Sequence, residues 1–600
     1  MKEEWMVAAK RADFDAIASK FNIDKVLARI IRNRDLVSDE EIGAFLGGTL
    51  SDLHDPLLMK DMEKAVLRIR EGIKKGEKLR VIGDYDVDGI CATYILLKGL
   101  KTLGADVDTV IPHRIRDGYG LNNHLIEEAA ADNIDTIITC DNGISAAAQI
   151  ELACSLGMCV IVTDHHEVPF KEEDGKKTYT LPPAYCVVDP KREDCDYPFK
   201  SVCGAFVAFK LISVLLENKY PEVTEELIPF AAMATVCDVM ELLDENRIIV
   251  KEGLKRLNAA DIYGIGKVDD NVNIGLKAMI LAATLGGKEI SAYHFGFVLG
   301  PMINATGRLD TASRALELFS STDYVKAGTI ATELRQLNDE RKGITEDGVR
   351  KASEIVDTTS VGENAILVIY LPECHESIAG IIAGRIKEKY YKPTIVITDA
   401  EDGVKGSGRS IEAYDMYAEL TRVSDLFTKF GGHKMAAGLS LVNVEAINEL
   451  RRRLNENSTL SEEDLTRKLH IDVPMPLSYV SRDLIRSFDL LEPFGTANPK
   501  PLFAVSEISI LSYQKRGKTR KIGKYVIADR GGRRYDMVCF EELNAFDDFL
   551  RGNFGEDAVS VLEKGNADTG RFVIKIAYYP DINVYNGIES IQIVMKHYDI

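Results

Sequence analysis

Paired cysteines are missing from this chain. Ten cysteines are scattered through its 600 residues with no Cys-x-x-Cys pair and no Cys/His cluster. That excludes zinc ribbons and disulfide scaffolds, and it points to a reducing, cytoplasmic setting. Long apolar runs are missing too: FVAFKLISVLL (206–216) is broken by Lys210, so no membrane span is expected. The first stretch, MKEEWMVAAKRADFDAI, carries charges throughout and is unlike a signal peptide. There are no internal repeats and no low-complexity tract. Positive charge is in deficit, with a formal net charge of −20. At face value that argues against a nucleic-acid partner, but binding depends on local patches. One such patch runs from Lys515 to Arg534, where nine Lys/Arg face the single acid Asp529 and Tyr513, Tyr525 and Tyr535 are interleaved. It is either a solvated hairpin or a surface that tracks a phosphate backbone and stacks bases on its rings. Lys515, Arg516, Lys518, Arg520, Lys521 and Tyr525 are its candidate contacts.

What is present is acid at the ends of strands. GDYDVDG (83–89) follows the short apolar strand Leu79–Ile82 and precedes a helical pattern from Ile90 to Leu103. Asp84, Asp86 and Asp88 repel one another unless cations neutralise them, so the turn reads as a site for hard divalent metals. DTIITC (135–140) reads as a buried strand ending in Asp141-Asn142-Gly143. MCVIVT (158–163) ends in Asp164-His165-His166, and an apolar helix around Phe230–Val236 leads into Cys237-Asp238. In an open parallel sheet the strand C-termini share one edge, where ligands bind. These groups are therefore expected in one cleft. Two divalent ions held by shared carboxylates activate water and neutralise charge building on a phosphate. Asp141, alone on its strand end, is the candidate bridging ligand.

DYDVDG, DNG, DHH and a later Asp resemble the DHH phosphoesterase superfamily, and within it the bacterial single-strand-specific exonucleases. DPLLMKDMEKA (55–65), VVDPKREDCDYPFK (187–200), VCGAFVAFKL (202–211) and NATGRLDTA (304–312) stand in family order. HESIAGIIAGRI (375–386), SGRS (407–410) and GGHKMAAG (431–438) resemble the DHH-associated domain. PFGTANPKPLF (493–503) resembles the start of the family's OB-type domain. Two departures are visible: Ser377 stands where Gly is expected, and Cys374 precedes His375 where an aromatic is usual. By this resemblance Asp88, Asp141, His165 and Asp238 would hold one ion, and Asp86 and Asp141, with Asp84, the other. Some superfamily members place a His before the first Asp pair. Here that region holds Ile82, so the second site is expected to be weaker or completed by water. His166 would contact the scissile phosphate, and Asp164 would orient a histidine. The mixed carboxylate–imidazole set suits Mn(II), with Mg(II) open as well.

The expected architecture is α/β. Residues 1–50 form an N-terminal helical segment with a cap at Ser38-Asp39-Glu40-Glu41. Residues 51–315 form a doubly wound parallel-sheet DHH domain, and 316–360 a long connecting helix. Residues 361–460 form a smaller α/β DHH-associated domain, and 461–600 an OB-like β-barrel of short strands. SGRS and GGHKMAAG read as Gly-rich loops that let backbone amides approach a phosphate. Asn304, Arg308, Ser407, Arg409, Gly431, Gly432 and His433 are the candidate substrate contacts.

The expected activity is a metal-dependent exonuclease, a phosphodiesterase hydrolase that degrades single-stranded DNA from one end. The resemblance implies 5′→3′ polarity, release of mononucleotides, and service in DNA recombination and repair. Single-stranded DNA is the expected partner, with a single-strand-binding protein and a helicase. The alternatives are an oligoribonucleotide or cyclic-dinucleotide phosphodiesterase of the same superfamily, a pyrophosphatase, and a non-catalytic replication scaffold.

Overall fold

The computed structural model describes residues 3–114, 117, 120–173, 176–262, 271–309, 312–400, 403–516, 522–540, 543–565 and 567–600. They divide into two compact units, one spanning residues 50–467 and the other joining 3–49 to 468–600. No helix among them is long and apolar enough to cross a membrane.

In the first unit, short apolar runs become five parallel strands. Their order is Asp106–Val110, Lys78–Ile82, Thr136–Cys140, Cys159–Thr163 and Cys186–Val188. Thr136–Cys140 is buried along its whole length and Cys159–Thr163 at all but its first residue, as a sheet covered on both faces demands. Strand order reverses between Lys78–Ile82 and Thr136–Cys140. A ligand crevice forms at such a switch point, and there the DYDVDG turn and Asp141 lie side by side. The helices Val87–Thr102, Gly204–Leu216 and Pro221–Cys237 pack together against the sheet, with Ile95, Phe206, Phe230 and Ala231 among their wholly buried residues.

The connecting helix runs from Tyr324 to Thr358, 35 residues, or about 52 Å. It packs first on helices of the DHH region, then on the helix Glu376–Tyr390. A second sheet follows, ordered Phe427–His433, Ala436–Leu441, Gly403–Arg409, Thr394–Ala400 and Leu367–Tyr370. Alternation along its strands sends Leu367, Ile369 and Val396 to a cluster with Ile378, Ile382 and Ile386. Ile366, Val368, Ile395 and Ile397 go to another cluster with Leu450 and Leu454. SGR and GGHKMAAG, expected as loops, lie in these strands and in a tight hairpin. Their glycines replace side chains on a pleated surface.

In the second unit five strands close on themselves. Phe503–Arg516 pairs with Ile522–Ala528, which pairs with Arg534–Cys539, then Ile588–Asp599, then Val573–Tyr585, which returns to Phe503–Arg516. The N-terminal residues, expected as a segment of their own, belong to this unit. Glu3–Val7 pairs with Arg467–Ile471, and Arg34 meets Asp472 in a buried ion pair at 2.6 Å. The Ser38 cap is present as a full capping box with Glu41.

Candidate active site

Asp86 caps the helix Val87–Thr102 by accepting the Gly89 N–H at 3.0 Å. The turn folds so tightly that a Cβ on Gly89 would sit 2.6 Å from the Asp84 backbone. Asp88 therefore points from the first helical turn into the cleft. Its two oxygens accept the N–H groups of Gly204 and Ala205, each at 2.7 Å, at the N-terminus of the helix Gly204–Leu216. Asp141 takes the left-handed conformation, φ 60°, which Asp tolerates. The start of the same helix presses on it: a Cβ on Gly204 would lie 2.7 Å from the Asp141 Cβ.

His165 ties these elements together. Its Nε2 lies 3.1 Å from Asp141 Oδ1, 3.6 Å from Asp88 Oδ2 and 3.7 Å from Asp238 Oδ2. Ligand atoms of Asp88, His165 and Asp238 lie within 4.8 Å of one another, and so do those of Asp141, His165 and His166. Burial, then Asp88, Asp86, Asp238 and Asp84, drive the Asp141 carboxyl well above the usual range. Burial and Asp86 push Asp84 up to about 8, and Asp238 is raised by burial, Asp88 and Asp86. Asp86 is raised by burial and Asp88. Burial lowers His165, favouring the neutral ligand form. Asp84 Oδ2, Asp238 Oδ2 and both His165 ring nitrogens are buried without a hydrogen-bond partner. Such a site is costly without cations and fits them with them.

Of the donors expected for the first ion, Asp88, His165 and Asp238 form one of these groups, and Asp141 shares only His165 with it. The set Asp84, Asp86 and Asp141 is looser: besides burial, Asp86 raises the pKa of Asp84, and both raise that of Asp141, but among the described residues they form no triple of ligand atoms within 4.8 Å. Asp164 accepts His166 Nδ1 at 2.7 Å as well as the Ile144, His165 and His166 N–H groups. Burial opposes its ionisation, but the His166 hydrogen bond and charge prevail and lower its pKa. In return, against its own burial, His166 rises to about 9. His166 is therefore held protonated, suited to a phosphate oxygen or a leaving group.

Two residues at this edge were missed by sequence reasoning. Asp189 ends the fifth strand, wholly buried, with one oxygen on the Lys191 N–H and the other unpartnered; burial and Asp164 raise it to about 8. CVVD carries the same signal as the other strand ends, an apolar run closing on an acid. Arg114 follows the strand Asp106–Val110 and stands 4.8 Å over the Tyr85 ring.

Arg114 links the acids to a group of arginines. It eases the charge on Asp84 and, after burial, is the next cause that depresses the pKa of both Arg308 and Arg409. Arg308 donates to the Ser377 carbonyl at the start of the helix Glu376–Tyr390. Burial, Arg114, Arg341 and Arg409 push its pKa down to about 9. Arg409 donates to Ser407 Oγ at 3.1 Å and to the Gly408 carbonyl at 2.8 Å. It lies against Gly380, where a Cβ would come within 2.9 Å of it. Buried cations facing cations are stabilised by an anion between them. Ala436 pairs with Arg409 on one side and His433 on the other, and Gly438 with Ser407 and Gly431, so these candidates share adjoining rungs with Gly432 beside them. Asn304 precedes Arg308 by one helical turn and is partly exposed.

The barrel candidates fare differently. Tyr525 and Tyr513 are cross-strand partners stacked 4.7 Å apart, both fully buried inside the barrel. Tyr525 is thus a core residue, closed to a base. Lys515 pairs with buried Asp547 at 2.7 Å, and Arg516 donates to Gln514. Lys518, Arg520 and Lys521 lie outside the described residues.

Comparison with known proteins agrees with this geometry. The DHH family N-terminal domain profile matches residues 78–235, the DHHA1 domain 363–458 and the RecJ OB domain 471–597. The single-stranded-DNA-specific exonuclease RecJ of Bacillus subtilis (strain 168) is 33% identical over 96% of this chain and 71% of its own. That of Escherichia coli (strain K12) is 31% identical over 100% and 99%. The chain belongs to the RecJ family. RecJ from Thermus thermophilus in complex with Mn2+ superposes with a TM-score of 0.79 at 26% identity, covering 100% of this chain and 79% of that one. Its Mg2+ complex gives 0.74 at 25% identity, over 99% and 78%. Both RecJ structures carry a divalent cation, the kind of ligand that the orphaned donors here require.

Proposed function

We propose that this RecJ-family chain is a metal-dependent exonuclease that hydrolyses single-stranded DNA from the 5′ end and releases mononucleotides, in DNA recombination and repair. The observation that carries it is the juxtaposition, within residues 50–467, of a buried carboxylate–histidine cluster and an arginine cluster bridged by Arg114. The domain limits 51–315, 316–360 and 361–460 follow this division of labour. The first holds the acids, the second connects, and the third brings Ser407, Arg409 and His433.

Divalent ions, when bound, supply an activated water and neutralise charge on the phosphate. Asp88, Asp141, His165 and Asp238 would hold one ion, and Asp84, Asp86 and Asp141 the other. Asp88 is held by two backbone N–H groups, so its position is set before binding. His166, kept protonated by Asp164, delivers a proton to the departing oxygen. Arg308 and Arg409 fix a phosphate beside it by charge-assisted hydrogen bonds. A cleft that admits one backbone with its bases splayed would exclude a duplex. Residues 461–600 add grip on the strand, and a single-strand-binding protein and a helicase in the cytoplasm would supply the substrate.

Digestion of strands labelled separately at each end, with Mn(II), tests this. Release of 5′-terminal mononucleotides from a free strand, with arrest at a duplex junction, is expected. A blunt duplex cut as fast as a free strand overturns the cleft argument, and digestion only from the 3′ end overturns the polarity alone.

A further inference from the structure

Two large rings stand in water on a helical run whose other face is buried. Tyr293 is 62% and Phe297 68% exposed, and their rings stack with centroids 5.0 Å apart at 22°. They open a continuous helical run, Ala292–His294, a π-helical turn Phe295–Leu299, then Gly300–Leu309. Phe295, Leu299, Met302, Ile303, Ala305 and Thr306 are buried along it. At helical spacing after the rings come Pro301, Asn304 and Arg308, each partly open. The aromatic pair therefore begins the open stripe that ends at the phosphate-gripping arginine, about 16 Å further along the axis.

The π turn is fastened to the metal cluster. Cys237 Sγ donates to the Phe295 carbonyl at 3.4 Å, and a Cβ on Gly300 would strike that sulfur at 2.4 Å. Cys237 directly precedes Asp238. Irregular turns of this kind persist where they position something. A cation is near as well: burial and Lys288 hold the neighbouring His294 below its usual range.

We infer that Tyr293 and Phe297 are a stacking platform for unpaired bases of the strand whose end lies at the arginines. The inference rests on the single-strand reading of the cleft. Stacking on an aromatic face is tolerant of sequence, because every base has such a face. That suits an enzyme which must draw in any strand.

The test uses the full chain with Mn(II) and a phosphorothioate single strand that resists hydrolysis, with 2-aminopurine placed at successive positions from the 5′ end. Fluorescence should be quenched at one or two interior positions, and the quenching lost in the Tyr293→Ala/Phe297→Ala double variant. On normal DNA, KM for a strand of about twenty nucleotides should rise roughly five- to a hundredfold for each ring removed. KM for a trinucleotide, too short to reach the rings, should rise far less. Tyr293→Phe with Phe297→Tyr should restore both readouts. Unaltered quenching in the double alanine variant, or an equal rise for both lengths, overturns the platform. Dimerisation of the wild-type chain abolished by the double variant assigns the rings to a contact between copies and also overturns it. If the wild type digests no single strands, the proposed function falls, while the quenching still decides the platform.

Discussion

Asp141 stands among the carboxylates of the cleft, with His165 Nε2 3.1 Å away. Burial and four neighbouring carboxylates raise its pKa, so its ionised form depends on bound cations. Asp141→Ala should reduce hydrolysis about a thousandfold or more at saturating Mn(II), while circular dichroism and single-strand binding stay near wild type. Appreciable hydrolysis by that variant would remove Asp141 as the shared ligand. Arg409 differs, because in the proposed reading its donors would grip a phosphate. Arg409→Ala should lower kcat/KM about tenfold to a hundredfold and leave the affinity for long strands less changed. An equal loss in both would place Arg409 in general strand binding.

At the scale of elements, the barrel strands correct a reading made from composition. Tyr513 and Tyr525 face inward because cross-strand partners share a side of the sheet, and closing the barrel buries that side. Tyr525→Ala should therefore cost about 3–5 kcal/mol of stability in the barrel, seen as a lower midpoint in urea. Loss of strand affinity with unchanged stability would return Tyr525 to the surface role expected for it. Lys515→Ala leaves the buried Asp547 carboxylate without its ammonium and should destabilise by about 1–3 kcal/mol. Arg516, exposed, is the better probe of salt dependence. Removing it should reduce the slope of log affinity against log salt by at most about one.

For the whole molecule, acidity and metal binding are linked. Asp84 and Asp189 rise to about 8 in the metal-free protein, far above their unfolded value of about 3.9. Between those values the folded state holds more protons than the unfolded one. Metal-free stability should therefore fall as pH rises from about 4 to 8. Cations compete with those protons, so Mn(II) should raise Tm more at pH 8 than at pH 5.5. Thermal melts in chelator and in Mn(II) check both, and equal shifts at the two pH values would contradict the burial argument. The division into units makes a second prediction. Residues 3–49 pack with 468–600, so a truncation that respects the fold removes both. The remaining 50–467 should still digest short oligonucleotides while binding long single strands more weakly. Loss of all activity in a well-folded fragment would place part of the chemistry in the second unit.

What the sequence determined by itself was local. A run of four to six apolar residues ending in Asp marks both a strand and the chemistry at its end, and parallel topology carries all such ends to one edge. DYDVDG, DNG and DHH were legible for that reason, and CVVD with Asp189 carried the same signal unread. The Ser38 capping box was legible because it spans one turn. Only the tertiary structure decided which cations meet one another beside those acids. Arg114, Arg308 and Arg409 are spread over nearly 300 residues of the chain, and no local pattern encodes their approach. It also decided that Tyr525 is core, since alternation assigns a residue to a face but barrel closure determines which face is dry. The N-terminal helices likewise join the distant barrel through Arg34 and Asp472, a pairing set by packing.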